Sequence, residues 1–267
     1  MNELALFAGA GGGILGGKLL GWRTVCAVEW EPYPASVLCA RQNDGLLPPF
    51  PIWDDVQTFD GRPWRGIVDV VSGGFPCQDI SVAGKGDGLD GERSGMWHHM
   101  ARVVSEVRPS YVFVENSPML TTRGGTRVIG DLTAMGYDCR WTVMGAADVG
   151  ANHQRDRIWI LAYANSMREL QQTRSERDER DGVSDSSETM ADAKRRKSKM
   201  GWDDAGMGWL EKLGSQGNAG ASWWASEPNV GRVAHGVAAR MDRLKSIGNG
   251  QVPLCAATAW RYLSELL

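Results

Sequence analysis

Short apolar runs alternate with longer amphipathic segments over the first 164 residues of the chain. The runs are LALFAG, TVCAVEW, VDVVSGG, YVFVEN and RIWILAYA, and the segments that separate them are long enough for helices. This alternation is typical of βαβ units. The runs are rich in valine and isoleucine with little polar alternation, as in strands that helices cover on both faces. We therefore predict an α/β fold with a doubly wound, mostly parallel sheet.

The composition of the chain narrows its class further. Its 267 residues, 42% of them hydrophobic, suffice for the core of one large domain or two unequal ones. A run of about 18 uncharged apolar residues, as a membrane span requires, is absent from the sequence. A signal peptide carries Lys or Arg before its apolar stretch. Here the first charged residue is Glu3, and no Lys or Arg precedes the apolar stretch. We expect a cytoplasmic protein.

The five cysteines form no CxxC motif. Their number is odd, and the chain is too long to need disulfide bonds for its stability. We expect neither a disulfide framework nor a metal site.

The character of the sequence changes after Ala164. Asn165–Met200 is crowded with Ser, Arg, Glu and Asp and has few large apolar residues, so it cannot bury much surface by itself. From Val237 onward an apolar pattern returns with a spacing that predicts a final helix. We predict a first domain, a small and partly disordered inserted region, and a segment that returns to the first domain, over residues 1–164, 165–239 and 240–267.

The net charge of −3 is unevenly distributed. Residues 1–160 hold 14 Lys and Arg against 18 Asp and Glu, whereas the rest of the chain holds 15 against 14. The basic surplus therefore lies late in the chain. A nucleic-acid partner, which favours a basic surface, remains compatible with the mild overall acidity.

A glycine-rich loop and two acidic residues indicate a nucleoside site. The loop Phe7–Gly13 separates the first apolar run from a helix-like segment, where glycines allow close approach of a ligand, although a simple tight turn has the same pattern. Glu29 lies near the distance at which nucleotide-binding folds place an acid on the ribose hydroxyls. Trp30 could stack on an adenine, and Asp55, which follows a short third strand, could accept from its amino group. Because no P-loop lysine follows the glycines, a nucleoside is favoured over a nucleoside triphosphate.

A cysteine follows the fourth strand, Val68–Ser72, within the sequence GGFPCQDIS. A single cysteine is most often a small buried hydrophobic residue. Cys77, however, lies beyond the carboxyl end of a strand, where open α/β sheets bind ligands. Glycines expose it, Pro76 stiffens the backbone, and polar residues surround it. This context predicts a nucleophile.

Charged residues occur near two further strands. Glu115 ends the fifth strand; such a residue is often solvated or caps a helix, but beside a nucleophile it is a candidate for gripping the hydrogen-bonding edge of a substrate. Arg155 and Arg157 precede the last strand and would point to one side if that segment is extended. Arginine pairs are commonly surface charges, yet two guanidinium groups also suit a planar base and phosphates.

The order of these motifs resembles that of the C5-cytosine-specific DNA methyltransferase family, of the bacterial or phage type. LFAGAGG resembles the cofactor-loop motif, VEW the ribose and adenine motif, GGFPCQDIS the nucleophile motif, ENS the cytosine-holding motif and RDRIW the paired-arginine motif. LKSIGNGQVP resembles the final motif, which returns to the cofactor site. The resemblance implies a Rossmann-like S-adenosylmethionine-dependent methyltransferase fold with a small inserted target-recognition domain.

The resemblance also implies a reaction, the transfer of a methyl group from S-adenosylmethionine to carbon 5 of cytosine in double-stranded DNA. Carbon 5 is a poor nucleophile, so Cys77 first adds to carbon 6. Glu115 would hold the N3 and N4 edge of the base, and Arg155, beside Arg157, would anchor the ring oxygen. The target base must be flipped out of the duplex to reach Cys77.

The matched motifs also imply which residues bind the cofactor and which contact DNA. The cofactor site would comprise Phe7, Gly9, Gly11, Gly12, Glu29, Trp30, Asp55, Val56, Gly74, Pro76, Met96 and Asn249. The DNA contacts would include Gln78, Ser81, Gly84, Lys85 and His153. The chain departs from the family pattern at Ala5, where many members have Asp, and at His153, where Gln is usual.

Two alternatives stay open at this point. The first is a tRNA cytosine-5 methyltransferase, which the Pro-Cys-Gln order and the inserted region disfavour. The second is a noncatalytic DNA-binding regulator on the same fold, which the intact Cys77, Glu115 and Arg155 disfavour. The resemblance further suggests a restriction-modification or phage-protection setting, with a cognate restriction endonuclease as a functional partner. We expect a monomer.

Overall fold

The computed structural model describes residues 1–76, 95–165 and 240–265. Its strands are β1 Asn2–Leu6, β2 Arg23–Val28, β3 Ile52–Trp53, β4 Val70–Gly73, β5 Tyr111–Asn116, β6 Tyr137–Met144 and β7 Arg157–Ala164. Its α-helices are α1 Gly12–Leu19, α2 Pro32–Asn43, α3 Met96–Val107, α4 Gly125–Ala134, α5 Arg240–Asn249 and α6 Pro253–Ser264. Short 3-10 helices cover Arg62–Trp64, Pro118–Thr121 and Ala147–Val149.

The strands form one sheet in the order β3-β2-β1-β4-β5-β7-β6. Strands β1 to β5 pair in parallel, whereas β7 is antiparallel to both of its neighbours. The register aligns Leu6 with Val28 and with Gly73, so the parallel strands end at one edge. Because β7 runs the other way, its first residues lie at that same edge. The predicted mostly parallel sheet is confirmed.

Helices pack on both faces of the sheet, as expected for a doubly wound fold. On one face, Trp97 and Met100 of α3 and Val128 of α4 are fully buried in a cluster with Leu4 and Leu6 of β1. On the other face, Trp260 of α6 packs edge-on against Trp22 with ring centroids 4.5 Å apart. Burial on both faces explains the unbroken apolar character of the central strands.

Helix α6 is the predicted final helix, and it packs against α1. A Cβ atom built at Gly16 of α1 would lie 2.7 Å from the Cβ of Ala256, so the close approach of the helices requires glycine there. The C-terminal segment thus belongs to the core of the first domain.

Strand β6 was absent from the sequence prediction. It lies at the edge of the sheet, and its burial alternates irregularly, with Trp141 and Val143 exposed. Polar and charged residues interrupt its sequence YDCRWTVM, so it lacks the continuous apolar run of a central strand.

The described residues all belong to one compact unit. The inserted region predicted over 165–239 lies, except for its first residue, outside the described residues. No helix in the described ranges is both long and apolar enough to cross a membrane.

Candidate functional site

The predicted cofactor residues lie at the edge where the parallel strands end. Loops after β1, β2, β3 and β4 carry them, together with the first residues of α1 and α3 and the last residue of α5. In chain order they are Phe7, Gly9, Gly11, Gly12, Glu29, Trp30, Asp55, Val56, Gly74, Pro76, Met96 and Asn249. The edge brings together residues from four neighbouring strands, as ligand sites of open α/β sheets do.

Glu29 connects the glycine loop to the end of β2 through a hydrogen bond. Its Oε2 atom accepts from the backbone N–H of Gly9 at 2.7 Å, and its Oε1 atom accepts from that of Glu31 at 2.8 Å. The side chain is buried, and this burial raises the pKa of Glu29, while the two N–H donors act in the opposite direction. The carboxylate therefore orders the loop on which a ligand would rest.

The surroundings of Glu29 fit an adenosine-like group. Gly9 has a φ of 55°, and a Cβ atom built there meets nothing within 4 Å, so the loop borders open space. The indole of Trp30 is 69% exposed and free to stack on a base. Lys245 of α5 reaches the same edge, with its Nζ atom 2.7 Å from Oε1 of Glu31.

Glu115 forms the second half of the site, near the end of β5. Its side chain is 10% exposed. Oε1 lies 2.9 Å from Nε of Arg157, and Oε2 accepts from Nε2 of Gln251 at 3.3 Å. The antiparallel β7 explains the ion pair, because Arg157 begins β7 at the edge where β5 ends. Each carboxylate oxygen therefore has its own donor.

The environment of Glu115 makes its protonated form accessible. Burial raises the pKa of the Glu115 carboxyl, and the charge of Arg157, the amide of Gln251 and the charge of Arg155 oppose that rise. A carboxyl group poised in this way can either accept or donate a proton at a substrate.

The two arginines of the RDRIW segment point to different partners. Arg155 has a φ of 47°, so the segment is not extended at this residue. Its Nη2 atom donates to the carbonyl of Gly248 at 2.7 Å and also to that of Gly250. Arg157 pairs with Glu115, whereas Arg155 holds the connection between α5 and α6. His153 lies exposed in the loop before them.

The nucleophile candidate Cys77 lies outside the described residues. So do four predicted DNA contacts, Gln78, Ser81, Gly84 and Lys85. The chain that leads to Cys77 is tied to β5, because Nδ2 of Asn116 donates to the carbonyl of Phe75 at 3.2 Å. A Cβ atom at Gly74 would lie 2.6 Å from Oε2 of Glu115, so glycine permits this close approach.

No role is predicted for Gln251 from the sequence, although it lies in the LKSIGNGQVP segment. Its partner Glu115 is 136 residues away in the chain. Local spacing carries no information about such a contact; only the return of α6 onto α1 brings the two residues together.

Comparisons with known proteins identify the family of the chain. Residues 1–229 match the model of the C-5 cytosine-specific DNA methylase family, and the chain belongs to that family. It is 33% identical over 163 residues to the type II methyltransferase M.CviJI of Paramecium bursaria Chlorella virus IL3A, a match covering 60% of this chain and 42% of that protein. It is 31% identical over 170 residues to the type II methyltransferase M.NgoBI of Neisseria gonorrhoeae, covering 62% and 51%. The matches thus span about half the length of these relatives, or somewhat less.

The fold is similar to that of a solved methyltransferase, EhMeth of Entamoeba histolytica. The TM-score is 0.52 at 14% identity, over 61% of this chain and 52% of that one. At this identity the similarity concerns the fold alone. It supports the Rossmann-like fold predicted from the motifs.

Proposed function

We propose that this protein is a DNA (cytosine-5-)-methyltransferase that transfers the methyl group of S-adenosylmethionine to carbon 5 of a flipped-out cytosine in duplex DNA. The proposal rests on the arrangement around Glu115. This buried carboxylate is paired with Arg157 and hydrogen-bonded to Gln251, at the same edge of the sheet as the glycine loop. Membership of the C-5 cytosine-specific family supports it.

The residues around the glycine loop and Glu29 would hold the methyl donor, S-adenosylmethionine. Glu29 would meet the ribose hydroxyls, the indole of Trp30 would stack on the adenine, and Asp55 would accept from the adenine amino group. The glycine loop allows the backbone to come close to the ligand. When bound, S-adenosylmethionine supplies an electrophilic methyl group.

Glu115 would hold the N3 and N4 edge of the cytosine ring. The raised pKa of the Glu115 carboxyl allows it to share a proton with N3 of the base. A proton at N3 withdraws electrons from carbon 6 and makes that carbon more electrophilic. Arg157 keeps the carboxyl in place and brings a positive charge to this edge. We assign to Arg157, rather than to Arg155, the stabilisation of the carbonyl oxygen on the cytosine ring, because Arg157 lies beside Glu115 whereas Arg155 donates to the carbonyls of Gly248 and Gly250.

Cys77 would supply the nucleophile from the segment that Asn116 anchors to β5. The thiolate adds to carbon 6, which makes carbon 5 nucleophilic. After methyl transfer, loss of the carbon 5 proton restores the double bond and expels the thiolate. Gln78, Ser81, Gly84, Lys85 and His153 would contact DNA in this arrangement.

The direct test is incubation of the full chain with duplex DNA and S-adenosylmethionine labelled in its methyl group. We expect label in the DNA with the wild type and none with Cys77→Ala. A parallel reaction with tRNA addresses the alternative substrate. Duplex DNA containing 5-fluorocytosine should trap a covalent complex with the wild type only. Absence of label from DNA with a folded wild-type protein would exclude the proposal.

The proposal extends to organisation and setting. We assign catalysis to 1–164 together with 240–267, and target recognition to 165–239. We further propose that the protein acts as a monomer in the cytoplasm of a bacterium or a phage-infected host, alongside a cognate restriction endonuclease. Bisulfite mapping of DNA from cells that express the protein identifies the target sequence, and sedimentation velocity gives the oligomeric state.

A further inference from the structure

The side chain of Gln251 lies where three parts of the edge meet. Its Nε2 atom donates to Oε2 of Glu115 at 3.3 Å, on the opposite oxygen from Arg157. The two donors come from β7 and from the connection between α5 and α6, so they approach the carboxylate along different chain segments. Together they restrict its rotation more than either donor would alone.

Gln251 also fills space that two glycines leave free. A Cβ atom at Gly13, at the start of α1, would lie 2.5 Å from Oε1 of Gln251. A Cβ atom at Gly74, after β4, would lie 3.1 Å from Nε2. The amide is therefore enclosed between the glycine loop and the strand that leads to Cys77, which limits it to few rotamers.

The backbone around Gln251 is held in place as well. Arg155 donates to the carbonyls of Gly248 and Gly250, three residues and one residue before Gln251. Pro253 begins α6 two residues after Gln251, and α6 packs on α1. A side chain that starts from an anchored backbone can orient its partner reliably.

We infer that Gln251 is a positioning residue for methyl transfer, which orients the Glu115 carboxylate toward the base from the segment that carries the cofactor residue Asn249. This inference rests on the proposed function. Gln251 does not itself touch the reacting atoms; it acts through Glu115.

The amide also affects the charge of its partner. Burial raises the pKa of Glu115, while Arg157, Gln251 and Arg155 stabilise the ionised form. The other acidic side chain lining the same cavity is Glu3. Removal of the Gln251 amide takes away one of the groups that favour the carboxylate, so the pKa of Glu115 should rise further.

The experiment compares the full-length wild type with Gln251→Leu and with a matched control, Gln42→Leu. The control also removes an amide that makes one hydrogen bond, from Phe50 N to Gln42 Oε1 at 2.9 Å, but on α2. The first measurement is a ¹³C NMR titration of the carboxyl groups in glutamate-labelled protein without DNA or cofactor. The Glu115 signal is identified by its loss in Glu115→Gln.

We expect the Glu115 signal to titrate at higher pH in Gln251→Leu and at the wild-type position in Gln42→Leu. In methyl-transfer assays, Gln251→Leu should lower kcat about tenfold, as loss of one hydrogen bond to a charged group would, with little change in KM for S-adenosylmethionine. If Gln251→Leu fails to fold, Gln251→Asn, which keeps an amide but lacks its reach, serves in the same comparison.

Two results would overturn the inference. One is an unchanged titration of Glu115 in the folded Gln251 variant; the other is an unchanged kcat when the wild type is active. A wild type without any methyl transfer would instead defeat the proposed function, and the inference with it. The two failures are therefore distinguished by the wild-type assay alone.

Discussion

Glu3 and Glu115 are buried carboxylates that line the same cavity, yet their surroundings differ. Glu3 lies inside the sheet on β1, where its oxygens accept from the hydroxyls of Ser72 at 2.6 Å and Thr24 at 2.8 Å. Glu115 lies at the edge of the sheet and meets a guanidinium group and an amide. Burial raises the pKa of both side chains.

The two carboxyl groups differ in their position along their strands, and under the proposed function only Glu115 has a role in the site. Glu3 is three residues from the end of β1 and is only 1% exposed, so it lies in the interior of the protein. Glu115 is one residue from the end of β5, where a side chain can face a ligand beyond the strands. Paired substitutions at the two sites test this distinction.

The largest expected effect is on activity. Under the proposed function, Glu115→Gln should lower kcat/KM for methyl transfer about 10³-fold, because the amide cannot share a proton with the base. Glu3→Gln is the matched control and should stay within about twofold of the wild type. Equal losses of kcat/KM in the two variants would contradict the distinction between the interior carboxyl group and the one at the edge of the sheet.

Replacement of the cation beside Glu115 should cost stability. Arg157→Met leaves a buried carboxylate without its ion-pair partner, and we expect the free energy of unfolding to fall by about 3 kcal/mol. Urea denaturation measures the change. In the double variant Arg157→Met/Glu115→Gln much of the loss should return, and a strictly additive loss would contradict the coupling.

Removal of the interior acceptor should cost somewhat less. In Glu3→Leu the hydroxyls of Thr24 and Ser72 lose their shared acceptor, and we expect a loss of about 2 kcal/mol in urea denaturation. Methyl transfer by the folded fraction should be unaffected. A loss of activity without loss of stability would place Glu3 in the site.

The smallest effect depends on pH. Because the pKa of Glu3 is raised in the folded state, its contribution to stability is full below the unfolded pKa and is lost as the pH rises through the folded pKa. Glu3→Gln should therefore be more stable than the wild type by about 1 kcal/mol near pH 8, and this advantage should shrink toward about pH 5. A constant difference over that range, measured by urea denaturation, would indicate that Glu3 does not titrate there.

The sequence predicted the edge of the sheet better than its interior. Glu29 and Glu115 follow recognisable apolar runs, and the ends of parallel strands share one edge, so their placement could be predicted. The importance of Glu3 could not, since its partners lie 21 and 69 residues away on other strands. The role of Cys77 stays a prediction, because it lies outside the described residues.

The antiparallel direction of β7 also escaped prediction. An apolar run such as RIWILAYA has the same pattern in either direction, and β6, which precedes it, lacks a continuous apolar run. This direction determines which arginine pairs with Glu115. A correct strand assignment therefore left the partner of the Glu115 carboxylate undetermined.

Helix α1 is synthesised well before its packing partner α6, which is the last of the described helices to leave the ribosome. Until residues 253–264 emerge, the nascent chain cannot cover the aromatic surface formed by Trp22 and Phe113. Completion of this half of the core is therefore a late step. Chains that stop before α6 should expose an apolar surface to which chaperones and other copies of the chain can bind.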